Sequence, residues 1–476
     1  MSGAISTVPT VPTARTVFAG RWPTRWTNAA LLLLGAVSLL LYCKGAHDQG
    51  QQRILTFTAG ALGLAIPYFL ASWLILRARP ARSTWLLVLA FALAFRVVCL
   101  QTDVYLSTDL YRYIWDGRVQ AAHINPFRYV PADPHLAFLR DDKIYPHINR
   151  KSYAKTVYPP GAQIVFWTVT RISESVTCIR ITMVAFEALA VWGLVRLLAT
   201  YGLPAQRALL YAWHPLVVWE FAGGGHVDAV MIAFVVLSLL WHRLDRPVST
   251  GVALGLATLT KLFPVILAPA LYRRWRWGWR MPAAIAGTVA LGYLPYVLTY
   301  NLYGALGFLP RYTTEEGLQS GDRFFLMTLL PARALGAVGL HPYGVFVGLG
   351  ALAVAAAAAW ALWRRETDEL SYLRRCLCLA TIFVALLSSG VDWYATWLVP
   401  FLCFLPYSWL FWLTGSTMVL YLNWIHNEPR DIYLLNAAIY FPAAFLGGLM
   451  LARRWVAWRK ALPAGSAASS PQTTPG

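Results

Sequence analysis

Apolar residues in this chain come in runs close to the ~20 residues a helix needs to cross a bilayer, separated by short basic turns and a few long polar loops. The first run, Ala29–Cys43, reaches Lys44 with no small-x-small cleavage pattern, which predicts an uncleaved first span rather than a signal peptide. Runs over 54–76 and 84–100 follow, divided by Arg77, Arg79 and Arg82. From Gln101 to Gly161 the chain is polar, aromatic and rich in proline, and the apolar stretch from there to Arg171 is too short to cross, predicting an interfacial half-helix. Crossings are expected at 176–199, 206–222 and 227–242. The run 248–272 starts and ends beside basic residues yet is too short for two passages. Its Lys261-Leu-Phe-Pro264 break predicts two half-helices meeting inside the protein. Spans at 281–300, 343–363, 373–390 and 433–452, a second polar loop over 301–341 and a proline-broken hairpin to 425 complete an all-α polytopic pattern of about 11 to 13 spans. Residues 1–27 read as a disordered cytoplasmic leader, 28–460 as one transmembrane domain and 461–476 as a disordered tail.

Composition supports the membrane reading: of 476 residues 58% are hydrophobic and only 13% charged, about half the charged share of a soluble protein. The net charge of +19 is not a nucleic-acid signal, because the Lys and Arg lie in short clusters between spans, such as Arg273, Arg274, Arg276 and Arg280. That is the positive-inside pattern, and it implies membrane lipid rather than nucleic acid as a partner. It puts the 101–161 loop, the turn at Gly223–His226 with Asp228, the 301–341 loop and Asp392-Trp393-Tyr394 together on the outer face. With no Walker motif and no soluble domain, ATP- and nucleotide-sugar-driven classes lose support; substrates on that face are lipid-linked or extracytoplasmic. The six cysteines lie in or beside apolar runs, and Cys376-x-Cys378 lacks zinc spacing, so they read as small core residues.

The chemistry concentrates in TDLYRYIWDGRVQAAHINPFRYVPADP, residues 108–134. If this stretch is helical, Asp109, Arg112, Tyr113 and Asp116 share a face. Thr108-Asp109 also fit a plain helix N-terminus, and Asp103 in QTDVY fits an interfacial cap. Asp116 fits an ion pair with Arg112 or Arg118, or a contact to acceptor hydroxyls. Guanidinium chelates phosphate, which makes Arg112, Arg311 and Arg323 phosphate candidates. His226 could bind phosphate or sugar with Asp228 fixing its tautomer; with Glu220 nearby a metal is conceivable but lacks a third ligand in register. Lys261 sits in an apolar run, where a charge costs a few kcal/mol unless paired or snorkelled to the interface. Asp392 and Tyr394 could hydrogen-bond and stack on a sugar.

The first-loop block, TDLYRYIWDGRVQAAHINPFRY, resembles the signature of bacterial GT-C glycosyltransferases, in particular polyprenyl-phosphate-mannose-dependent mannosyltransferases related to glycosyltransferase family 87 and the PIG-M type. YPPG at 158–161, AWHPLVVWEFAGGGHVDAVM at 212–231, LTKLFPVILAP at 259–269 and DWYATWLVP at 392–400 follow in the order of that family's later blocks. The resemblance spans 84–425 and implies a GT-C bundle with a catalytic first external loop carrying short interfacial helices. It implies inverting transfer of a sugar, mannose by this likeness, from a polyprenyl-phosphate donor to a lipid-linked or glycan acceptor at a bacterial cytoplasmic membrane. Asp109 takes the place of the family's general base, supported by Tyr111, Arg112, Asp116 and Arg118. No cofactor is implied, and a divalent metal is not expected because protein cations can hold a monophosphate leaving group. The rival class is a lipid or glycoconjugate flippase, whose marks are inverted repeats and ionisable residues at mid-membrane; a polymerase or ligase using a lipid pyrophosphate is a third.

Overall fold

A computed structural model describes residues 22–315, 324–364, 367–387, 391–425 and 428–461. Among them there is no β-strand, and the chain is a bundle of helices: α1 Thr24–Gly50, α2 Ile54–Gly63, α3 Ala65–Ile75, α4 Arg82–Leu100, α5 Asp109–Ala121, α6 Pro160–Ile172, α7 Val176–Thr200, α8 Asp228–Arg243, α9 Pro247–Thr260, α10 Arg280–Thr299, α11 Leu309–Glu315, α12 Pro342–Trp363, α13 Ser371–Leu387, α14 Ser408–Ser416 and α15 Pro429–Ala461. Seven are long and apolar enough to cross a membrane: α1, α2 with α3, α4, α7, α10, α12 and most of α15. The other expected crossings lie on shorter or broken segments. The first helix begins at Thr24, inside the stretch read as leader.

α8 lies at the centre, packed on α7 and α9, with α10 outside α9 and α1 against α4. Its residues are almost all buried, whereas α10 and α12 turn much of their apolar surface outward, as helices facing lipid do. Proline sets two helix boundaries, and the break expected at Lys261–Pro264 is there. α9 stops where Lys261 turns extended, and the chain resumes as a short 3-10 turn at Phe263–Leu267, because Pro264 cannot continue the ladder. α6 starts on Pro160, whose missing N–H is no loss at a helix's first position.

The expected crossing at 206–222 needs correction. It is broken into a 3-10 turn at Ala205–Ala208, single turns at Leu209–Ala212 and Pro215–Val218, and a π-turn at Trp219–Gly223. Pro215 is the cause, and the protein supplies the missing partners. Arg96 donates to the Ala212 carbonyl at 2.9 Å and Tyr68 to that of Leu210 at 2.8 Å. Arg96 is itself held by a buried pair with Glu187 of α7, at 2.6 Å.

α5 and α6 cross at closest approach on Gly117, where an added Cβ would lie 2.6 Å from the Phe166 carbonyl oxygen and 2.5 Å from the Thr170 hydroxyl. Gly117→Ala therefore forces the two helices apart. Overpacking of this kind costs about 1–3 kcal/mol, and the expected result is a lower unfolding temperature of the detergent-solubilised protein, read by intrinsic fluorescence.

Candidate functional site

Four polar segments meet at one end of the bundle. The long 101–161 loop folds over the end of α10, where Asn125 donates to the Tyr296 carbonyl and to Thr299 at 2.9 and 2.8 Å. The chain after α10 joins it through Phe308 N–H to the Thr156 carbonyl, and through Glu315, which pairs with Arg150 and accepts from Tyr153. Past the other end of α8, Asp245 is contacted by Arg273 and Arg276 of one basic turn.

Within the loop, α5 carries the residues singled out by spacing. Asp109 opens the helix, where a carboxylate is favoured by the unpaired N–H groups of the first turn. It is half-buried, and its Oδ1 accepts from Asn149 Nδ2 at 2.9 Å. Arg112 and Asp116 form a buried pair at 2.8 Å. Thr156 and Gln163 donate to the other oxygen of Asp116, and Arg112 donates to the Ala154 carbonyl at 3.1 Å. Every oxygen of Asp116 is thus engaged, tying α5 to α6 and to the strand-like return of the loop. Arg118 fastens the loop's other side, bonded to Asp141, Glu174 and the Leu139 carbonyl at 2.7–3.0 Å. Burial opposes ionisation of Asp141, but Arg118 and the N–H groups of Ile144 and Tyr145 outweigh it and bring its pKa down to about 2. Tyr111 stacks on His147, ring centres 4.7 Å apart.

Beneath Asp109 lies a second group. Lys261, at the break after α9, reaches both oxygens of Asp228 at 2.8 and 2.9 Å. Its ammonium stands 4.9 Å from the centre of the Tyr394 ring. It neither snorkels away nor stays unpaired. Asp228 therefore serves Lys261 and does not fix the His226 tautomer, correcting the expectation from sequence. His226 instead has Nε2 3.3 Å from Glu220, with its ring stacked on Trp393 at 4.3 Å. Burial pushes its imidazole below the usual range against the pull of Asp109 and Asp228, leaving it neutral at pH 7. Tyr421 donates to Glu220 at 2.5 Å, and burial raises the neighbouring Asp392 carboxyl above the ordinary range. Among the described residues no three His, Cys, Asp or Glu side chains form a group able to hold a metal ion.

Two cavities lie near Asp109, which lines neither. One is walled by aromatic rings and by Asp103, Glu220 and Asp392, with no Lys or Arg among the described residues that line it. The other carries Arg112, Arg150 and Lys155, with no carboxylate among the described residues that line it. Asp109 links them: Asn149, its side-chain donor, lines the basic cavity, and Ser107, which accepts its backbone N–H at 3.3 Å, lines the acidic one.

Of the residues picked from sequence, the site brings together Asp109, His226, Asp228, Lys261, Asp392 and Tyr394. Asp103 lines a cavity and caps no helix. Arg311 is exposed on α11 and lines neither cavity, and Arg323 falls outside the described residues. Sequence reasoning missed Asn149, Arg150, Lys155 and Tyr421. A signal for the first three existed in the run INRKSYAK at 148–155, basic residues interleaved with polar ones within a loop already suspected.

No curated protein and no solved structure matches the chain. A family model does: alpha-(1->6)-mannopyranosyltransferase, N-terminal domain, over residues 25–277, just over half of the chain. That span takes in Asp109, both residues of the Lys261–Asp228 pair and His226, and stops before Asp392 and Tyr394. The chain belongs to the alpha-(1->6)-mannopyranosyltransferase family and is a multi-helical membrane mannosyltransferase.

Proposed function

We propose that the protein transfers mannose, with inversion, from a polyprenyl-phosphate carrier to a hydroxyl of a lipid-linked or glycan acceptor on the outer face of a bacterial cytoplasmic membrane. The observation that carries this reading is the placement of Asp109, its carboxylate bonded through Asn149 to the rim of a cavity lined by Arg112, Arg150 and Lys155 and its backbone N–H through Ser107 to one lined by carboxyl and aromatic side chains. Asp109 takes the acceptor proton as the acceptor oxygen attacks C1 of mannose from the face opposite the phosphate. The C1–O bond breaks, and its electrons leave with the phosphate, which passes from a singly charged diester to a polyprenyl monophosphate of higher charge. Cations near that oxygen stabilise the transition state more than the ground state. An inverting enzyme that makes an α linkage requires a β-linked donor.

The remaining residues take supporting roles in this reading. The Arg112–Asp116 pair and the Arg118 contacts fix the α5 platform, and Tyr111 braces it against His147. His226, Asp392 and Tyr394 bind sugar hydroxyls, Lys261 and Asp228 set the charge beneath the reacting carbon, and Arg311 and Arg323 would act at the rim. The outer-face assignment is supported by the basic turn of Arg273 and Arg276 at the far end of α8. The absence of a nucleotide in the proposed donor gives the test. Purified protein given polyprenyl-phosphate mannose and a mannoside acceptor should release free polyprenyl phosphate, while GDP-mannose should yield none. Transfer from GDP-mannose alone would sink the reading.

A further inference from the structure

The two cavities beside Asp109 differ in a way that assigns them. Lys155 and Arg150 enter one cavity from the return arm of the 101–161 loop, and Arg112 closes its floor. Arg112 is spoken for by Asp116 and a carbonyl, so its charge is balanced within the platform. Lys155 is not neutralised in that way: its hydrogen bond, at 3.1 Å, is to the neutral Tyr300 hydroxyl, with its ammonium 5.2 Å from the centre of that ring. Arg150 pairs with Glu315 and lies 5.7 Å from the Tyr312 ring. It also holds a φ of 54°, in the left-handed region that favours glycine, with the Ala154 N–H bonded to its carbonyl at 3.0 Å.

Tyr300, the partner of Lys155, directly follows α10, whose Leu291, Leu294 and Leu298 are exposed on one face. A cationic head site thus stands at the end of an apolar track, matching an amphiphile with an anionic head and a long hydrocarbon tail. The opposite cavity, lined by carboxyl side chains and aromatic rings, offers hydrogen-bond partners that suit hydroxyl groups.

We propose that Lys155 and Arg150 form the site that holds the phosphate of the polyprenyl carrier, leaving the carboxyl-lined cavity to the hydroxyl-bearing ligand. This rests on the donor class proposed above. The arrangement makes Asn149 the hinge between phosphate and base, since it lines the phosphate cavity and donates to Asp109.

The test compares a short-chain polyprenyl monophosphate with the matching polyprenyl alcohol by binding to the full-length protein in detergent, beside turnover of polyprenyl-phosphate mannose. The wild type should prefer the monophosphate, and Lys155→Met should lower that preference by about tenfold or more, as loss of a charge-assisted contact does. Lys155→Arg should restore most of it, Arg150→Met should weaken it as well, and Lys143→Met, on an exposed part of the same loop, should leave it unchanged. Donor KM should rise in Lys155→Met while acceptor KM stays the same. If the wild type turns over the donor but Lys155→Met and Arg150→Met bind the monophosphate as tightly as it does, this assignment is wrong and the function stands. If the wild type neither binds the monophosphate nor uses the donor, both fall. Equal weakening by Lys143→Met would reduce the effect to general loop charge and also overturn the assignment.

Discussion

Asp109→Asn folds as the wild type does and loses about 10²–10⁴-fold in kcat, the range that a positioned general base contributes. The amide keeps the shape and can turn its oxygen to Asn149, so the 2.9 Å contact and the start of α5 survive. What it cannot do is accept the acceptor's proton. Donor binding, measured with polyprenyl monophosphate, should stay within twofold, because the phosphate is held elsewhere. Asp116→Asn makes the discriminating comparison: its carboxylate is buried against Arg112, Thr156 and Gln163, so the expected damage is to unfolding temperature, with activity falling in step. An Asp109→Asn enzyme with half or more of wild-type kcat would remove this carboxylate from the mechanism, whatever else it positions.

The spans and the break at Lys261 were legible in sequence because each is a local matter of hydrophobic length or of proline chemistry. Asp109, Arg112 and Asp116 were legible because three- and four-residue spacing on one helix face is also local. The broken passage through Pro215 was not, since an apolar run reads the same whether its backbone bonds itself or borrows Arg96 and Tyr68 from other helices. The same limit hid the cavities. Lys155 meets Tyr300, and Glu220 meets Tyr421, across 145 and 201 residues of chain. The partner of Asp228 was misassigned for a related reason: Asp228 is two residues from His226 in sequence, but at the start of α8 it turns toward α9, and His226 toward Glu220 and Trp393.

That pair yields the second large effect. Asp228 is 1% exposed and Lys261 14% in their side chains, with Nζ within 2.9 Å of both carboxylate oxygens. Removing one partner of a buried pair strands the other charge, at a cost of about 3–5 kcal/mol, whereas removing both is close to neutral when the space is refilled. Lys261→Met and Asp228→Asn should therefore each lower the unfolding temperature sharply, and the double variant should recover most of the loss. Activity should not follow stability. The Lys261 charge also stands against Tyr394, so the double variant, though stable, lacks the cation of the proposed site and should remain well below the wild type in kcat. A double variant that regains both stability and kcat would reduce the pair to a structural clamp. One that regains neither would mean that the two charges do not compensate each other across the α8–α9 packing, against the geometry of their contact.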